Sequence, residues 1–178
     1  MTYDESRSQS RPGYGDARLQ VYDPAAHPEL FEGVLAARII AFLIDAIIVG
    51  LVVAAVSVFI FLFGLVTLGL GWLLFWPLGG AAVVWAVLYY GLTLGGSRSA
   101  TIGMRMMGIE MRTTYGAPAY FVLGAAWVIL YWISVGALTP FVLLIGLFNP
   151  RGRLLHDFFL GVVLINGPER AARFTYRR

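Results

Sequence analysis

The sequence predicts an all-α polytopic membrane protein, a small bundle of two full transmembrane helices plus a helical hairpin. Three observations predict it. Residues 35–63 are apolar almost without interruption, and mean hydropathy is +0.77. Charged residues make up only 13% of the chain, against about 25% in soluble domains. A chain of 178 residues has room for a few spanning segments, each of about 20 apolar residues, and none for a soluble catalytic domain beside them. Three regions follow: a disordered cytoplasmic tail over 1–33, a transmembrane domain over 34–166 and a basic cytoplasmic tail over 167–178.

The N-terminal 33 residues are polar, charged and turn-forming, so no removable signal peptide is expected and the first helix serves as its own targeting signal. From Leu35 to Phe63 only Arg38, Asp45 and Ser57 are polar. At about 1.5 Å per residue this run exceeds the roughly 30 Å core of a bilayer. Gly64, Gly69 and Gly71 are expected to break the helix, and Pro77 to open a second one that ends near Leu94. The first connection carries no charge, whereas residues 95–118 carry Arg98, Arg105 and Arg112 against Glu110. The positive-inside rule then puts residues 95–118 and the N-terminus in the cytoplasm.

Ala119 to Phe148 reads as one tilted helix or as a hairpin turned at Val135–Pro140. A single crossing would export Arg151, Arg153, Arg170, Arg173, Arg177 and Arg178, so charge favours the hairpin and a cytoplasmic C-terminus. Tyr131 and Trp132 before the turn suit an outer interfacial belt. The return arm, about 139–148, is too short to span. It is either re-entrant or irregular and covered by protein. Two glycine-led segments, 108–112 and 161–165, look extended and are expected to pair as a short two-stranded sheet at the cytoplasmic face.

Three ionisable residues stand out. Asp45 lies about 15 Å into the first helix, where an ionised carboxylate costs roughly 2.5–3.5 kcal/mol and must face protein or water, be neutral, or have a partner. Arg38, seven residues earlier, shares its face but points away from it, because helical side chains lean toward the N-terminus. Its expected partner is Asp157, which follows the basic turn 149–153 and returns to an apolar environment at matching depth. His156 beside it lacks a second ligand for a metal and reads as a hydrogen-bond donor.

Cysteine is absent, which excludes disulfides and thiolate sites, and there is no nucleophile elbow or Ser/His/Asp set. No catalytic residue, metal, cofactor or nucleic-acid partner is expected. All 13 basic residues are arginine, a bias expected of a GC-rich bacterial genome. Small residues at Ala46, Gly50 and Ala54, and at Gly91 and Gly95, mark surfaces where helices approach closely, within the chain or between copies. Trp72, Trp76, Tyr89, Tyr90 and Tyr120 read as interfacial anchors.

Three blocks resemble the RDD family of bacterial membrane proteins, named for one arginine and two aspartates. Residues 36–45 (AARIIAFLID) carry the arginine at Arg38 and the first aspartate at Asp45. Residues 100–109 (ATIGMRMMGI) resemble the glycine-rich cytoplasmic block, with Arg105 as a supporting residue. Residues 154–164 (LLHDFFLGVVL) supply the second aspartate at Asp157, beside His156. The chain departs from the family in having Met104 where a lysine commonly precedes the arginine, and Gly124 and Ala125 where the third helix often carries another arginine.

The resemblance implies a multi-pass protein of the bacterial inner membrane and, for activity, transport. The small size and scarce intramembrane polar groups point to a non-enzymatic accessory or assembly subunit of a larger complex. Its partners would be membrane lipid and either another membrane protein or further copies of itself. The alternative is a small cation or proton transporter acting as a homo-oligomer, with Asp45 as the titrating site.

Overall fold

The computed structural model describes residues 22–138 and 153–176. The first helix, α1 (Val34–Val66), has 33 residues, about 50 Å of helix. A 3-10 turn at Leu70–Leu74 leads into α2 (Phe75–Leu94). With the turns that precede them, both helices are long and apolar enough to cross a membrane. In an apolar medium only a helix or closed barrel satisfies each backbone N–H and C=O internally, which is why uninterrupted Leu, Ile, Val, Ala and Phe runs adopt this form. Their apolar side chains face outward: Val66 is 82% exposed and Trp76 94%. Apolar surface this extensive suits lipid rather than water.

The expected break at Gly64 does not occur, because α1 continues to Val66. That glycine is a contact instead. A Cβ there would stand 1.9 Å from the Trp72 ring, and the indole Nε1 donates to the Phe61 carbonyl at 3.2 Å. The turn is thereby folded back onto α1. Pro77 lies in the first turn of α2, two residues after its start.

Beyond α2 come α3 (Ile102–Met106), β1 (Ile109–Thr113), α4 (Phe121–Leu138), α5 (Leu155–Leu160), β2 (Val162–Asn166) and α6 (Pro168–Thr175). The strands pair antiparallel, with Ile109 opposite Asn166, Met111 opposite Leu164 and Thr113 opposite Val162. The expected two-stranded pairing is thus present, one residue further along each segment. Helix α4 continues through Leu138, so Val135–Leu138, expected as the start of a hairpin turn, is helical. The rest of that turn and the return arm at 139–148 lie outside the described residues, as does the tail from 1 to 21.

The buried core gathers at one end of the bundle. It joins Val34, Ala37 and Ala41 of α1 to Leu94 of α2, Trp127 and Val128 of α4 and the inner residues of both strands. All the buried residues of α2 (Tyr89, Tyr90, Gly91 and Leu94) fall in its last six positions. Gly91 and Gly95 serve contact within the chain: a Cβ would lie 2.8 Å from the Phe121 ring at Gly91, and 2.5 Å from the Phe121 backbone nitrogen at Gly95. Gly50 faces open space, and Ala46 and Ala54 are exposed beside it.

The segment before α1 is tied down, which the expectation of disorder through residue 33 did not foresee. Asn166 Nδ2 donates to the carbonyls of Glu29 and Glu32 at 2.8 and 2.9 Å. At the other end of β2 stands Arg153, read from the sequence as part of the basic turn 149–153. It is buried. Its guanidinium donates to the carbonyls of Val162 and Asp157 and lies 4.5 Å over the Phe158 ring.

Candidate functional site

Arg38 and Asp157 form the pair anticipated from their sequence context. Arg38 Nη1 donates to Asp157 Oδ2 at 2.5 Å and Nη2 to Oδ1 at 3.0 Å, the parallel two-bond geometry that a guanidinium offers a carboxylate. Arg38 is 7% exposed and Asp157 fully buried. Two further donors complete the carboxylate. Trp127 Nε1 donates to Oδ1 at 2.8 Å, and the Leu154 N–H donates to Oδ2 at 2.8 Å. Asp157 occupies the third position of α5 and so reaches back over the helix start. With four donors the carboxylate has its usual acceptor capacity filled. Burial works against the charged form, but the adjacent Arg38 guanidinium outweighs it and holds Asp157 below the usual carboxylate range.

His156 packs edge-on against Trp127 and Tyr131, with centroids 5.2 and 5.4 Å apart. Its Nε2 lies 3.1 Å from Arg38 Nη2, a group that can only donate, so Nε2 accepts and the ring proton sits on Nδ1 toward Ser134 Oγ. The imidazole is neutral: burial lowers its pKa to about 4, with Asp157 pulling upward and Arg38 pushing down. The sequence suggested a donor; the ring both accepts, from Arg38, and donates.

Asp45 is 1% exposed and takes hydrogen bonds from neutral groups. Tyr89 Oη and the Gly103 N–H donate to Oδ1 at 2.6 and 2.8 Å, and Thr101 Oγ1 donates to Oδ2 at 2.5 Å. Thr101 is also the N-cap of α3, accepting from the Met104 N–H at 3.1 Å. Asp45 was expected near mid-bilayer with its partner unnamed, yet residues 101–103, expected on the cytoplasmic side, reach it. The cause is Gly103. A Cβ there would stand 2.2 Å from the Ala41 carbonyl oxygen, and only its absence lets α3 lie against α1.

An aromatic run connects the two acids. Tyr89 and Tyr90 meet edge to face at 5.2 Å, Tyr90 lies 5.9 Å from Trp127, and Trp127 stacks on Tyr131 at 5.8 Å. Within the run Tyr89 donates to Asp45 and Trp127 to Asp157. Tyr89 and Tyr90 are therefore buried connectors rather than interfacial anchors, while Trp72, Trp76 and Tyr120 do expose their rings. Tyr131, expected at an outer belt, packs against His156. Arg105, the supporting residue of the middle block, is exposed, and its Nε donates to the Ala100 carbonyl at 3.0 Å rather than to either acid.

Trp127, Tyr89, Thr101 and Gly103 escaped the sequence reading as site residues. Their signals were faint: an indole N–H in an apolar helix needs a partner, and a threonine ahead of a short helix reads as a cap. A cavity of about 260 Å³ touches both Arg38 and Asp45, with Phe42, Tyr90, Met104 and Trp127 among its lining. Among the described residues no three of His, Cys, Asp and Glu are grouped so as to hold a metal ion.

No curated protein matches the chain, and no solved structure does. The family model for the RDD family matches residues 33–161. That span holds Arg38, Asp45 and Asp157, the arginine and two aspartates whose partners have just been described. The chain belongs to the RDD family.

Proposed function

We propose that the chain is a non-enzymatic accessory or assembly subunit of a larger bacterial inner-membrane complex, with both termini cytoplasmic. The observation that carries this reading is the state of the two acids. Asp157 has its four acceptor positions filled and Asp45 holds three donors, from α2 and from the start of α3, an arrangement suited to clasping helices rather than to exchanging a proton or cation. Other polar groups are also turned inward on their own helices: Ser57 Oγ donates to the Val53 carbonyl and Thr93 Oγ1 to that of Tyr89. The apolar faces of α1 and α2 away from the core, with Ala46, Gly50 and Ala54 on one of them, are open to lipid or to a neighbouring membrane helix.

The cytoplasmic orientation follows from charge. Arg98, Arg105, Arg112, Arg170 and Arg173 belong to the segments that carry the sheet and α6, whereas residues 64–76 between the two long helices have no charge. At about 50 Å, α1 also exceeds the apolar thickness of a bilayer by several turns. Asp45 can then sit near the inner interface rather than at mid-depth.

The 260 Å³ cavity touching both Arg38 and Asp45 favours one other reading, a small cation or proton transporter acting as a homo-oligomer. One purification separates the two. In mild detergent, stoichiometric foreign subunits are the result expected of an accessory protein. A symmetric self-assembly whose ion flux in proteoliposomes is lost in Asp45→Asn, with the fold intact, would replace the first reading by the second.

A further inference from the structure

The C-terminal helix α6 does not trail away from the bundle. Arg170 Nη1 donates to the Met107 carbonyl at 2.5 Å and Nη2 to the Gly33 carbonyl at 3.2 Å, so α6 is laced to the residue just before α1 and to the turn after α3. Between α6 and that turn lies a cleft of about 660 Å³. Its walls carry Arg105, Arg170 and Arg173 against a single acid, Glu169, with Met106 and Phe174 beside them. An adjoining hollow of about 350 Å³ shares Arg105 and Arg170 and adds Arg98. Glu110, which also borders that hollow, is paired with Arg112 at 3.0 Å.

The cations are presented for use. Arg105 and Arg173 are exposed, and among the described residues Arg105 has only its Nε committed, to Ala100. Arg170 is held between two carbonyls, its Nε is buried with no hydrogen-bond partner among the described residues, and burial together with the neighbouring Arg173 depresses its pKa. Three guanidinium groups lining one cleft suit an anion with several oxygens: the exposed forks of Arg105 and Arg173 can donate to a phosphate, and Arg170, its fork held by carbonyls, adds a fixed positive charge. The walls of the cleft reach from Arg170, bonded to Gly33 just before α1, to α3, which meets α1 at Ala41, so the cleft flanks the inner interface, where a spanning helix meets lipid headgroups. Met106, 68% exposed, and Phe174 supply apolar surface next to the charge, as a headgroup site with adjoining acyl chains requires.

We propose that the cleft between α3 and α6 binds a phosphate-bearing anion through Arg105, Arg170 and Arg173, with a membrane phospholipid headgroup or a free phosphate as its source. The headgroup source rests on the membrane reading above; the phosphate chemistry does not.

The test is thermal unfolding of the full chain in mild detergent, with phosphatidylglycerol, phosphatidylcholine or inorganic phosphate added. Phosphatidylglycerol is expected to raise the midpoint more than phosphatidylcholine. That difference should fall by half or more in Arg105→Gln and in Arg173→Gln, and persist in Arg112→Gln, which removes the same charge outside the cleft. An equal, arginine-dependent shift with inorganic phosphate assigns the site to free phosphate and upholds the shared chemistry. No shift with either anion, or equal loss in Arg112→Gln, overturns the proposal. The membrane reading would fail by a different result, a chain that stays monodisperse without detergent.

Discussion

Arg38 and Asp157 share two hydrogen bonds, of 2.5 and 3.0 Å, across 119 residues of chain. Removing one partner strands the other in a buried site, which costs about 3–5 kcal/mol. Arg38→Ala and Asp157→Asn are each expected to lower unfolding stability by a large part of that range. The double variant should lose clearly less than the sum, and a double-mutant cycle reads the coupling directly. Additive losses would show the two residues acting separately.

Asp45 tests a different kind of contact, because its donors are neutral. Tyr89→Phe deletes the 2.6 Å bond while keeping the ring, and is expected to cost about 1–3 kcal/mol. Asp45→Asn keeps an acceptor and should be milder than Asp45→Leu, which orphans the Tyr89, Thr101 and Gly103 donors together. If Leu proved as well tolerated as Asn in an unfolding assay, the clasp described for Asp45 would be wrong.

Gly103 permits the close approach of α3 to α1. Gly103→Ala places a Cβ 2.2 Å from the Ala41 oxygen, and an overpacked contact to backbone costs about 1–3 kcal/mol or more. Gly50→Ala, in open space, serves as the comparison and should leave the midpoint nearly unchanged. Both are read by thermal unfolding in detergent.

Acid sensitivity follows from His156. Its pKa in the fold is lowered to about 4, whereas an unfolded histidine titrates near 6.5. Between those values the unfolded chain binds a proton that the folded chain refuses, so stability present above about pH 6.5 is lost as pH falls toward 4. Asp157, also lowered, adds a loss of the same sign at still lower pH. Unfolding midpoints measured from pH 7.5 to 4.5 should decline, and His156→Gln should flatten that decline. An unchanged slope in the variant would assign the acid sensitivity elsewhere.

Topology is checked by labelling. Cysteine introduced at Thr67 and at Arg173 should react from opposite sides of the membrane, since α1 separates them by one crossing and the arginine-rich segments remain inside. Labelling from the same side would refute the assignment of both termini to the cytoplasm.

The two long helices and the strand pair were legible because their signals are local: uninterrupted apolar runs in one case, glycine-led β-branched segments in the other. The Arg38–Asp157 pair was legible because unpaired charge in an apolar setting is costly enough to predict its own partner. The partners of Asp45 were not. Tyr89, Thr101 and Gly103 lie 44 to 58 residues away and carry no charge, so nothing in the linear order marks them. Gly64 and Tyr90 show a related ambiguity. A glycine can end a helix or seat a ring, and a tyrosine near a helix end can anchor at an interface or fill a core; only the packed neighbour decides.

The order in which the two acids find their partners also differs during synthesis. Every group that binds Asp45 has emerged by Gly103, and these lie within the first two long helices and the turn that follows. Arg38 must wait for Asp157, delivered only after α4 has been made. During elongation the first half of the chain can therefore be latched before Asp157 has been made. A chain truncated before Asp157 would leave Arg38 without the carboxylate that engages it in the finished fold. Arg38 therefore engages its carboxylate only once the chain has been made through α5.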